Sequence, residues 1–93
     1  MKYEVIITDR AANAIRRIVE HTQQTSLIGG EDTKDTLIHR IRRLGINPEE
    51  GSRKANFQKL EGNYRSVTAW DYRIYYKVEE KRVIVLDVIV DLK

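Results

Sequence analysis

Residues 82–92, RVIVLDVIVDL, place β-branched and leucine side chains almost without interruption. A strand with one wet face alternates apolar and polar residues, whereas a strand covered on both sides has no need to. The stretch is therefore expected to be a central strand, covered on both sides for much of its length. The rest of the chain must supply the covering layers.

Residues 3–7, YEVII, are β-branched and aromatic and predict a strand. Asp9 is placed to cap a helix, since its carboxylate can accept from free first-turn amides. Ala11, Ala12, Ile15, Ile18 and Val19 then recur at helical spacing, predicting a first helix over about 10–22. TSLIGG breaks that pattern. A second helix is expected from Asp32, a candidate cap, with Leu37, Ile38, Ile41 and Leu44 on one side. Gly45 stands where a left-handed residue is often needed, and Pro48 prevents resumption. Segments 56–60, 63–70, 72–79 and 82–91 suit strands, with hairpin-length connections at Trp70-Asp71 and Glu79-Glu80-Lys81. The expected fold is one α+β domain over 1–93. It has an N-terminal strand, an antiparallel two-helix hairpin on one sheet face, then a C-terminal antiparallel meander.

Composition narrows the function classes. Hydrophobic content of 41% and charged content of 33% are those of a globular chain. No apolar run approaches the roughly 18 residues that span a bilayer, and the N-terminal apolar stretch is too short and strand-like for a signal peptide. No membrane association is expected, and the location expected is cytoplasmic. With no cysteine, disulfides and thiolate metal sites are excluded. His21 and His39 have no metal-site spacing, so neither metal nor cofactor is expected. A net charge of +3 permits a nucleic-acid or acidic-protein partner without demanding one.

Side-chain alternation divides the meander into faces. Tyr72, Ile74, Tyr76 and Val78 share the side expected to be core, leaving Arg73, Tyr75 and Lys77 on the other. In the last strand Ile84, Leu86, Val88 and Val90 form the row expected under the helices. The helix-free face is then expected to hold Arg73, Tyr75 and Lys77 beside Asp87, joined by Arg65 and Val67. An Arg73–Asp87 cross-strand pair is the plain structural reading of those two charges. The cluster Arg40, Arg42 and Arg43 is covered by the helix dipole, and Glu49, Glu50 and Glu61 read as solvated charges.

Asn47-Pro48 with Gly51, LEGNYR at 60–65, YRIYY at 72–76 and the apolar strand at 83–90 occur in an order that resembles the RelE/ParE superfamily of bacterial and archaeal type II toxins. The resemblance spans essentially the whole chain and implies a toxin neutralised by a cognate antitoxin in a hetero-oligomer. Relatives divide into RelE-like enzymes that cleave mRNA in the ribosomal decoding site and ParE-like inhibitors of DNA gyrase. A non-toxic interaction module of the same fold is a further alternative.

Cleavage by 2′-hydroxyl attack needs a base, cations for the charged phosphorane and an acid for the leaving oxygen. The resemblance carries Arg73 onto the strand arginine of the nuclease set, and Arg65 onto one of two basic positions in the preceding strand. The companion position is Val67. Lys93 stands near the expected tail arginine, but no tail tyrosine or histidine follows, leaving Tyr75 as the substitute. The catalytic candidates are therefore Arg73, Arg65 and Tyr75, and the target-binding candidates Arg65, Arg73, Lys77 and Lys93. The depleted set leaves ribosome-bound mRNA and gyrase both open as targets.

Overall fold

The computed structural model describes residues 2–25, 30–52 and 62–90. Along them run β1 (Glu4–Ile7), α1 (Asp9–Thr25), α2 (Gly30–Leu44), β2 (Asn63–Ala69), β3 (Tyr72–Glu79) and β4 (Arg82–Val90). The sheet order is β1-β4-β3-β2, so the most apolar strand does lie inside. β2, β3 and β4 form the antiparallel meander, while β1 pairs parallel to β4. The expected strand at 56–60 lies outside the described residues.

Both helices start differently from expectation. Thr8, not Asp9, caps α1: its hydroxyl accepts from Ala11 N–H at 3.2 Å and donates to the Val85 carbonyl at 2.8 Å. One side chain thus satisfies an orphan helix amide and fastens the helix to β4. Asp9 occupies the first turn, where its charge complements the dipole. α2 begins at Gly30, so Asp32 is inside it rather than at its cap. Gly45 follows α2 without a left-handed backbone. A Cβ there would meet Val5 Cγ2 at 2.9 Å and the Tyr3 carbonyl at 3.0 Å. Close approach to β1, sealed by Tyr3 N–H donating to the Gly45 carbonyl at 2.7 Å, is what requires glycine.

α1 contributes Ala11, Ala14 and Ile15 to the core, and α2 contributes Leu37, Ile41 and Leu44. Beneath them lie Val67, Ala69, Ile74, Tyr76, Val83, Val85 and Val88. This corrects the expected row on β4. Tyr75 pairs with Asp87 and Tyr76 with Val85, so Leu86 is an extra residue opposite nothing. A bulge shifts the parity of the strand. Val83 and Val85 before it share the helix face with Val88 after it, while Ile84 and Leu86 are half-buried elsewhere.

Candidate functional site

Register places the two arginines of the meander on opposite faces. Arg65 lies opposite Tyr76, a wholly buried core residue, so it projects from the helix-covered side. That overturns its expected place on the helix-free face, and Val67, buried opposite Ile74, shares the correction. The cause is simple: alternation assigns faces within a strand, but only pairing says which parity of one strand meets which of the next.

Arg65 is occupied at the turn that follows α2. Its Nη1 donates to the Gly51 carbonyl at 2.7 Å and the Glu49 carbonyl at 3.3 Å. Its Nη2 meets the Glu49 carboxylate at 3.1 Å, and its Nε donates to Asn63 Oδ1 at 2.9 Å. Behind it, Gly51 N–H donates to the Tyr76 hydroxyl at 2.9 Å, and that hydroxyl donates to the Pro48 carbonyl at 2.8 Å. Glu50 binds Arg40 and, at 3.0 Å, Arg43. Glu50 is therefore a clamp, its side chain only 19% exposed, contrary to a solvated turn charge. The Glu49 side chain, by contrast, is 70% exposed and pairs with Arg65 from solvent. Arg40 Nε also donates to the Thr68 carbonyl at 3.2 Å, tying α2 to the outer edge of β2.

Arg73 does project from the other face, with Tyr75 and Lys77. It is only 8% exposed, however, and its Nη1 donates to Ser66 Oγ at 3.0 Å. Asp87 sits opposite Tyr75 rather than Arg73. Its Oδ2 meets Arg10 Nε at 3.4 Å and its Oδ1 accepts from Val88 N–H at 2.8 Å. Lys77 is half-buried and pairs with Glu79 at 3.3 Å. Tyr75 is half-buried opposite Ser66. Lys93 and Glu61 lie outside the described residues. Chemically, the described residues do not bring Arg65 to the face that holds Arg73 and Tyr75. His21 and His39 stand on the helices, and no His/Cys/Asp/Glu group suited to a metal occurs among the described residues.

Sequence reasoning missed Tyr76 as the fastening point of the turn. The spacing marked it only as core. Burial pushes the Tyr76 phenol above its ordinary value of 10.0, because the phenolate would be poorly solvated. The unfolded chain therefore releases this proton at a lower pH than the folded chain. The stabilisation is fully present below about pH 10 and is lost as pH rises through the folded-state value. Urea unfolding of the native chain is expected to weaken more steeply above about pH 10 than that of Tyr76→Phe. Equal slopes would show that the phenol titrates as freely when folded as when unfolded.

A family model described as the ParE toxin of the type II toxin–antitoxin system parDE matches residues 5–90. The chain belongs to the ParE toxin family. Among solved structures, it is similar to a chain from the chromosomal ParDE toxin–antitoxin system from P. aeruginosa. The two share 19% identity at a TM-score of 0.76, covering 98% of each chain. At that identity the likeness speaks for the fold, and this ParE-family chain shares it. No curated protein matches the sequence. No helix among the described residues is long and apolar enough to cross a membrane.

Proposed function

We propose that this ParE-family chain is the toxin of a type II pair, that it arrests growth in the cytoplasm by binding DNA gyrase without cutting RNA, and that a cognate antitoxin neutralises it in a hetero-oligomer. The supporting observation is the commitment of the two candidate catalytic cations. Arg65 holds the turn at Glu49–Gly51 from the helix side, and Arg73 is buried against Ser66 from the other. A phosphorane-stabilising site needs cations converging on one point with little reorganisation. Arg65 and Arg73 instead project from opposite faces of the sheet, Arg65 paired in register with Tyr76 and Arg73 with Thr68.

The test compares two reactions with the purified chain. Supercoiling by gyrase is expected to be inhibited, while translating ribosomes keep their mRNA intact. Arg65→Ala is expected to lower the melting temperature yet retain inhibition per folded molecule. Codon-site cleavage that disappears in Arg73→Ala would instead establish the ribonuclease reading.

A further inference from the structure

Trp70 occupies the tip of the β2–β3 hairpin with φ of 54°, in the left-handed region that disfavours a bulky side chain. It is also 63% exposed. Neither feature helps the fold: glycine or asparagine would relieve the backbone, and a polar residue would suit the solvent. Beside the indole lies a recess of about 430 Å³ between the tip and α2, bordered by Asp35, His39, Arg40 and Ala69. Arg40 binds Glu50, a carboxylate it shares with Arg43. Exposed Asp35 and, next to the indole in the loop, exposed Asp71 set two carboxylates against the one Arg40 guanidinium that borders the recess. This corner is therefore more acidic than the chain as a whole with its net charge of +3.

We propose that Trp70 is the anchor through which the chain grips its growth-arrest target, a protein surface offering an apolar hollow for the indole ringed by basic side chains that meet Asp35 and Asp71. This rests on the gyrase reading for the name of the target. Tryptophan is enriched among the few residues that dominate binding energy, because a rigid ring buries much area at little entropic cost. The local acidity decides the chemistry of the occupant. An acidic partner drawn to the net positive charge of the molecule would meet repulsion here, whereas a basic surface would not.

The molecule supplies its own control. Glu80, in the β3–β4 loop, has φ of 55° and is exposed, the same backbone strain without the ring. Trp70→Gly and Glu80→Gly should both fold and hold or raise the melting temperature, by up to roughly 5 °C. Glu80→Gly should arrest growth as the native chain does. Trp70→Gly should lose arrest, with inhibition at least about tenfold weaker, while still co-purifying with the cognate antitoxin. A merely structural role predicts no such split. Trp70 is the one tryptophan in the chain, so its fluorescence reports the site directly. Added gyrase should blue-shift the emission and protect it from acrylamide. Equal growth arrest by the two glycine variants would overturn the proposal, as would protection by the antitoxin but not by gyrase in a chain that inhibits supercoiling. If the native chain arrests growth without touching supercoiling, the gyrase reading falls, and the paired variants still decide whether Trp70 is the anchor. A native chain that arrests nothing removes both.

Discussion

Gly51→Ala is expected to destabilise the fold by about 3 kcal/mol or more. A Cβ at this position would lie 2.5 Å from the Tyr76 hydroxyl oxygen, 2.7 Å from the Ser66 carbonyl and 2.9 Å from Tyr76 Cε1. None of these neighbours can step aside cheaply. The Ser66 carbonyl belongs to β2 and accepts from Ser52 N–H at 3.1 Å, while Tyr76 is wholly buried in the core. Moving the turn instead would break the Gly51 N–H bond to Tyr76 and loosen the Arg65 contact with the Gly51 carbonyl. Overpacking and lost buried hydrogen bonds thus act together, against a total stability of roughly 5–15 kcal/mol for a typical domain. The urea midpoint should fall by roughly 1–3 M. In a Tyr76→Phe background the nearest obstructing atom is gone, so the same substitution should cost less by about 1 kcal/mol, though the Ser66 carbonyl keeps the rescue incomplete. An identical cost in both backgrounds would show that the phenol does not confine Gly51.

A second large effect separates neighbours in α2. Leu37→Ala should cost about 3 kcal/mol, whereas Ile38→Ala should cost about 1 kcal/mol. Leu37 is wholly buried among the helices and the sheet, and shortening it leaves a cavity that packed neighbours fill only in part. Ile38 is half-exposed and borders an open groove with Lys2 and Arg42, where solvent and long side chains can close over the loss. Urea titrations of the two variants measure the difference. Comparable losses would mean that α2 sits rotated about its axis from the orientation described.

Much of the architecture was legible because it depends on local periodicity. The helical spacing of Ala11, Ile15 and Ile18 and of Leu37, Ile41 and Leu44 predicted two helices on one core, and Ile74 and Tyr76 predicted the buried side of β3. Errors clustered where one residue answers to two elements at once. Thr8 caps a helix because Val85 is there to receive its hydroxyl, and Gly45 is needed because Val5 lies against it. Neither reason can be read within a single window of sequence.

The candidate site divides in the same way. Residue order alone placed the chain among the toxins of its superfamily and its arginines on strands, since strand propensity and motif order are properties of the chain itself. Which side of the sheet each guanidinium reaches, and whether it meets solvent, was decided by tertiary structure. Pairing register put Arg65 opposite Tyr76, the bulge at Leu86 reversed the rows of β4, and burial enclosed Arg73 beside Ser66. Those outcomes depend on contacts between segments far apart in the chain. Side-chain direction repeats every two residues, so a one-residue offset between strands exchanges interior for exterior without changing any local pattern.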